Sequence, residues 1–320
     1  MKKIFTIVAA CIVVLGALVY LVFQLDAYGF ISLKRMFKRQ YDLSFYLSDK
    51  GTAQKLDGKT VAVSIFVSEY DNVWTDADKE KKEQQLGYLK MATEWIENQA
   101  AARNIEAEFV YDWSSDSELY YEAVFDETVT NYSIRENDGY NLMWDHLNNE
   151  VRSQYLMDKY GADNIIYLLY FNTKTDFYRF VPCAKDCYLD PQYSYDTCYF
   201  PIGYVGLTLS PPVVAHEILH LFGAIDLYKG GELIDFYGNN DRFIEYVAEN
   251  LPKDLMYSEA DPVTGELYFD SIPREITDIT AYYIGWLEER PEVIDEYGLD
   301  YSQHDPDREA QIAKKYADIL

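Results

Sequence analysis

The run from His216 to Asp226 reads His-Glu-Ile-Leu-His-Leu-Phe-Gly-Ala-Ile-Asp. Two histidines four residues apart on a helix project from one face, one turn above the other. Their imidazoles can grip one metal ion, and zinc suits nitrogen donors of this kind. Glu217 lies between them, where a carboxylate can hold a water and take its proton. Gly223 can adopt the left-handed conformation that ends a helix. The chain can then turn back and bring Asp226 to the same metal. His146, His304 and Asp235 are the other candidates for a third ligand, and Gly223 favours Asp226 over them. The chain has only four histidines, and half of them sit in this run.

The surrounding residues predict a helix that carries the pair. Ser210 is a good N-cap and Pro211 suits the first helical position. From Val213 to Phe222 the chain is apolar apart from His216, Glu217 and His220. A buried helix cannot leave three polar side chains without partners. A metal supplies one. A solvated helix with scattered histidines would carry more polar residues than this.

The pattern resembles that of the metzincin zinc peptidases, in the subgroup where aspartate replaces the usual third histidine, as in snapalysin-like enzymes. The resemblance is specific over residues 210–258. It implies His216, His220 and Asp226 as zinc ligands and Glu217 as the general base of a zinc endopeptidase. It also implies a methionine-containing turn beneath the metal. Asp254-Leu255-Met256-Tyr257-Ser258 provides one, with Met256 thirty residues after Asp226. A tyrosine near the metal would stabilise the oxyanion. Tyr257 is the first candidate and Tyr228 the second, although the family tyrosine commonly lies two residues after the methionine and Tyr257 lies one. The implied fold is α/β (α+β): an upper subdomain with a mixed twisted sheet and the active-site helix, then a smaller, irregular or helical lower subdomain.

The elements needed to position such a site can be read along the chain. Thr60–Val67 is a strong strand signal. A long helix follows, with Asp76 as a cap and Leu86, Leu89, Trp95 and Ile96 as a partial apolar stripe, ending near Arg103-Asn104. Ile105–Tyr111 reads as a second strand. Residues 140–160 read as a helix closed by Gly161, and Asn164–Phe171 as the clearest buried strand. Short strands near Phe177–Val181 and Tyr204–Leu209 lead into the metal helix, and a later helix is expected at about Ile276–Glu289. Alternation of strand and helix favours a layered α/β arrangement. The expected divisions are an anchor at 1–25, a juxtamembrane stalk at 26–58, an upper subdomain at 59–223 and a lower one at 224–320. Arg308–Leu320 reads as a short surface helix or a frayed tail.

Ile4 to Phe23 is twenty residues without a charge, long enough to span a bilayer as a helix. No small-x-small cleavage pattern follows it. An uncleaved signal anchor is therefore expected, with the large domain on the extracytoplasmic side. Residues 1–40 hold six basic residues and one acidic; residues 41–320 hold the other 22 basic against 53 acidic, a balance of −31. Such a domain repels nucleic acid and anionic lipid, so no nucleic-acid partner is expected.

Cys183, Cys187 and Cys198 suggest one disulfide with one thiol left over. Asp235 and Asp241 flank a glycine-rich loop and offer calcium ligands, but without regular ligand spacing. Tyr188, Tyr193, Tyr195, Tyr199 and Tyr204 cluster before the metal helix, among 31 tyrosines in the chain. They suit a substrate-cleft rim or a half-buried sheet surface. The rival to a peptidase is a non-catalytic surface protein that binds a partner through its acidic, tyrosine-rich face. An intact Glu217 argues against it, because a binding module needs no general base.

Overall fold

The computed structural model describes residues 51–299, apart from 54, 70–71, 127–142, 144, 148, 173–181, 186–194, 204–208, 230–240 and 298. The expected anchor, the stalk up to residue 50 and the tail lie outside the described residues. So do Asp235, His304, Cys187, Tyr188, Tyr193, Tyr204 and the expected strand at Phe177–Val181. No helix among the described residues is long and apolar enough to cross a membrane.

The fold is mixed α/β, with a mostly parallel sheet. In chain order the elements are β1 (Gly58–Glu69), α1 (Lys79–Ala102), β2 (Ala107–Val110), β3 (Tyr120–Phe125), α2 (Ser153–Tyr160), β4 (Asn164–Asn172), β5 (Cys183–Lys185), β6 (Thr197–Ile202), α3 (Pro211–His220), α4 (Asp241–Asn250), α5 (Asp278–Tyr283) and α6 (Glu292–Glu296). The sheet order is β2-β1-β4-β6-β5. β2 pairs with the start of β1 and β3 with its far end, so the two short strands share one edge of a long one. All pairings are parallel except that of β5 with β6.

Strand periodicity splits the core into two faces. Ala62 and Phe66 of β1, Ile166, Leu168 and Tyr170 of β4, and Cys198 and Phe200 of β6 point to one side. There they meet Leu89, Ala92 and Ile96 of α1 and Val214, Ala215, Ile218 and Leu219 of α3. Val61, Val63, Ile65, Ile165, Tyr167, Leu169 and Tyr199 point to the other side, against Leu147 and Leu156. Both central strands therefore read as continuous apolar runs, as strands covered on two faces must. Phe243, Val247, Leu255, Met256, Ile276 and Ile279, from the second half of the chain, join the first of these cores. Arg103 at the end of α1 reaches the same region, donating to the Ile276 carbonyl at 2.8 Å and pairing with Asp278 at 2.9 Å.

Several sequence expectations need correction. The long helix is preceded by a 3-10 turn, Asp76–Asp78, so its cap is Asp78 and not Asp76; Thr75 caps the turn, and the Asp78 carboxylate accepts from the Thr75 N–H and hydroxyl at 3.0 and 2.8 Å. The helix expected over 140–160 is interrupted at Val151-Arg152, and only Ser153–Tyr160 forms the helix that Gly161 closes with φ +61°. β3 and β6 carry no clean alternating signal: β3 is an exposed edge, whereas every residue of β6 is buried. Tyr195 and Tyr199 are fully buried, so they belong to the core and not to a cleft rim. Cys198 is a buried thiol outside any disulfide, in keeping with the one thiol expected to be left over, and Cys187 lies outside the described residues. Asp241 heads α4 and pairs with Lys229 at 2.9 Å, while the loop before it lies outside the described residues. The late helix is only α5, and Gly285 follows it with φ +83°.

Asp196 sets the approach to the sheet. Its buried carboxylate accepts the backbone N–H groups of Thr52 and Ala53 and the Thr52 hydroxyl, fastening the segment before β1 beside β6. Asp196→Ala strands those buried donors. The expected loss is about 3 kcal/mol, since each unsatisfied buried donor costs roughly 1–3 kcal/mol. Chemical denaturation of the two proteins measures it, and a change below about 0.5 kcal/mol would contradict this account.

Candidate metal centre

α3 places the two histidines. Ser210 takes extended backbone as the N-cap and Pro211 occupies the first turn, as the sequence predicts. The Ser210 hydroxyl is buried and makes no capping bond, so the proline and the packing define this end. All of α3 except Val213 is buried, packed against α1 and β5 in the main core. His216 and His220 therefore sit inside the protein, with rings edge to face at 4.7 Å between centroids.

Beyond His220 the chain tightens. The Gly223 N–H reaches the His220 carbonyl at 3.0 Å and the Ala224 N–H reaches that of Leu219 at 3.1 Å. Gly223 has φ +97°, a conformation a side chain would strain. The reversal delivers Asp226 to the histidines. Its Oδ1 lies 3.1 Å from His216 Nε2 and 3.3 Å from His220 Nε2, and the two Nε2 atoms are 3.0 Å apart.

These separations fit a metal ion. A tetrahedron with zinc bond lengths of 2.0–2.1 Å has an edge of about 3.3 Å. The other ring nitrogens set the tautomers. His216 Nδ1 donates to the Leu255 carbonyl at 3.2 Å, and His220 Nδ1 to the Ala224 carbonyl at 2.8 Å. A carbonyl only accepts, so each Nδ1 carries a hydrogen, and in the neutral ring each Nε2 presents a lone pair. The three converging atoms are then two lone pairs and a carboxylate oxygen. Among the described residues, His216, His220 and Asp226 form a buried group able to hold a metal ion. Of the other sequence candidates, His146 packs its ring against Phe125 at 5.9 Å, beside the core on the opposite face of the sheet.

The methionine turn supports the ligands from below. Met256 is fully buried in the main core. The preceding carbonyl, of Leu255, is the one that orients His216. The Met256 carbonyl accepts the N–H of Leu227, the residue after Asp226, at 2.9 Å. Asp254 fixes the turn. Its buried carboxylate accepts the Met256 N–H at 2.8 Å, the Thr277 N–H at 3.0 Å and the hydroxyls of Thr277 and Thr280. Sequence reasoning picks out this turn by its methionine alone and misses the role of Asp254, which follows the charged Lys253 and so carries no local signal of burial.

Charge at the site follows from these contacts. Burial alone would push the His216 imidazole down, but the Glu259 and Asp226 carboxylates outweigh it and raise it to about 9. Burial works to raise Asp226, yet the two imidazoles hold it well below the usual carboxylate range. Glu217 is buried, and burial lifts its carboxyl to about 7 against the pull of both histidines. Of the two tyrosine candidates, Tyr228 stacks over His216 with centroids 6.4 Å apart. Tyr257 is half-buried against the core, and its N–H bonds the Asp254 carbonyl.

No protein-family model matches this chain, and no curated protein matches it.

Two outcomes test the centre. A metal must displace the proton that His216 holds up to about pH 9. Below that pH, zinc uptake should release a proton, and affinity should rise by about tenfold per pH unit before levelling off. Competition with a chelating dye between pH 6 and 9 measures the slope; a flat profile contradicts it. In the same assay Asp226→Ala should weaken zinc binding by more than about 100-fold, beyond the effect of losing a mere ligand support. His146→Ala should leave it unchanged. The reverse pattern would remove Asp226 from the ligand set.

Proposed function

We propose that this protein is a zinc endopeptidase of the metzincin type. One observation carries the reading. Glu217 lies between two histidines whose Nε2 atoms converge with Asp226 Oδ1 within 3.3 Å, in the order that water-activating zinc sites use. His216, His220 and Asp226 would hold the ion. Three protein ligands and an open position mark a catalytic rather than a structural zinc site. Such an ion supplies a Lewis acid that makes water nucleophilic near neutral pH and polarises a carbonyl.

The protein's own groups divide the remaining work. Glu217 takes a proton from the attacking water and returns it to the leaving amine. A carboxyl lifted by burial to about 7 suits both halves of that task. The carbonyls of Leu255 and Ala224 keep the imidazoles in the tautomer that leaves Nε2 free for the metal. Tyr228 is better placed than Tyr257 to reach an oxyanion, because its ring lies over His216.

In the same reading, residues 4–23 anchor the chain in a membrane and the catalytic domain faces the extracytoplasmic side.

Glu217→Gln tests the mechanism. The variant should bind zinc as tightly as the parent, because Glu217 is not a ligand. Hydrolysis of a peptide library by the full chain in mild detergent should fall by at least about 100-fold. Cleavage at the parental rate would show that Glu217 is not the base. Absence of chelator-sensitive cleavage in the parent would sink the peptidase reading itself.

A further inference from the structure

An imidazole carries its two nitrogens on different edges of the ring. His216 turns Nε2 toward His220 and Asp226. Nδ1 faces away from them, toward the Leu255 carbonyl at 3.2 Å and the Glu259 carboxylate, whose Oε1 is 3.4 Å away. Glu259 is therefore outside the group that can share an ion, and it acts on that group only through the His216 ring.

We propose that Glu259 is a positioning residue of the metal centre, its carboxylate standing behind the Nδ1–H of His216 and strengthening Nε2 as a metal donor. The inference rests on reading His216, His220 and Asp226 as metal ligands. The Leu255 carbonyl alone fixes the tautomer. A carboxylate adds a full charge, which polarises the N–H and moves electron density toward Nε2.

Burial makes that charge effective. The His216 side chain is 2% exposed and that of Glu259 28%. The carboxylate keeps part of its hydration and avoids most of the cost of burying an ion. Its field still reaches the ring through protein, where charges are screened less than in water. The backbone around Glu259 is held as well. Ser258 Oγ donates to the Ala260 carbonyl at 2.9 Å, Arg274 donates to the same carbonyl, and Ala260 bridges to Leu267. A side chain that merely happened to fall near His216 would not need a fastened loop beneath it.

Zinc affinity of the metal-stripped full chain in mild detergent, measured near pH 7 by competition with a chelating dye, tests this. The comparison is between the parent, Glu259→Gln and Glu259→Asp. Glu259→Gln keeps the size and removes the charge. It should bind zinc about tenfold or more weakly, within the range found when a ligand's partner is lost. Glu259→Asp should fall between the two. The metal-free proteins should melt together, and the cobalt-loaded Glu259→Gln protein should show a shifted visible spectrum at one ion per chain. Parental zinc affinity in Glu259→Gln overturns the proposal. So does a large drop in the metal-free melting temperature of both variants, which would give Glu259 a role in the fold. If the parent itself binds no zinc, the metal-centre reading fails and takes this inference with it. A parent that binds, with an unchanged Glu259→Gln, sinks the inference alone.

Discussion

Two neutral imidazole nitrogens 3.0 Å apart, each with its lone pair toward the other, repel unless a cation lies between them. That is the constraint around which this molecule is built. The Leu255 and Ala224 carbonyls prevent either ring from escaping by exchanging tautomers. The nearby Asp226 carboxylate adds negative charge to the same point and favours any cation there. Against burial and against His220, the Glu259 and Asp226 carboxylates hold a proton on His216 to about pH 9. A divalent ion would satisfy all three donors together, and their spacing matches one.

Holding such an arrangement closed requires rigid elements on every side. α3 packs against both the sheet and α1, so the histidines cannot swing out without disturbing the main core. The turn at Leu255-Met256 presses from below, with one carbonyl on His216 and the next on the residue after Asp226. Asp254 is what keeps that turn in place. It is fully buried and its pKa is raised by burial, though the bonds from Thr277, Met256 and Thr280 work to keep it ionised. Those bonds run to the start of α5 and, with the backbone pairing of Lys253 and Leu255 with Glu275, tie that helix to the turn beneath the histidines. The Met256 side chain fills space in the core, and the chemical service of the turn comes from its backbone.

The three converging residues were legible in the sequence because their spacing is set by the helix repeat and by one glycine. His216 and His220 are four apart, and Gly223 takes the positive φ that the reversal to Asp226 demands. The central strands were legible because burial on both faces leaves Val, Ile and Leu in unbroken runs, as in β4. β6 was not. Its run Thr-Cys-Tyr-Phe-Pro-Ile is fully buried, yet it holds a proline and two polar or weakly polar residues. Local pattern gave no sign of its parallel partner β4. The tyrosines misled for a related reason. A phenol has an apolar body with a polar tip, so Tyr195 and Tyr199 could be read as rim residues although both are core. Asp254 and Glu259 were hidden because their partners lie in other segments. His216 is 39 residues from Leu255 along the chain, and no local periodicity reports a contact of that range.

The charge around the centre decides how metal affinity trades against reactivity. One carboxylate ligand and two neutral imidazoles would leave a divalent ion with a net charge of about +1. A third histidine in place of Asp226 would leave it at +2. The Glu259 carboxylate acts on both His216 and Glu217, lowering the positive potential further. Each of these charges strengthens the hold on a cation, and each weakens the pull of that cation on a bound water. The opposing adjustment falls on Glu217. Burial and the neighbouring carboxylates raise it to about 7, so it is a stronger base than an exposed glutamate. In the proposed peptidase, a centre less acidic at the metal would thus be matched by a base more basic beside it, and both changes would follow from acidic groups packed against two buried histidines.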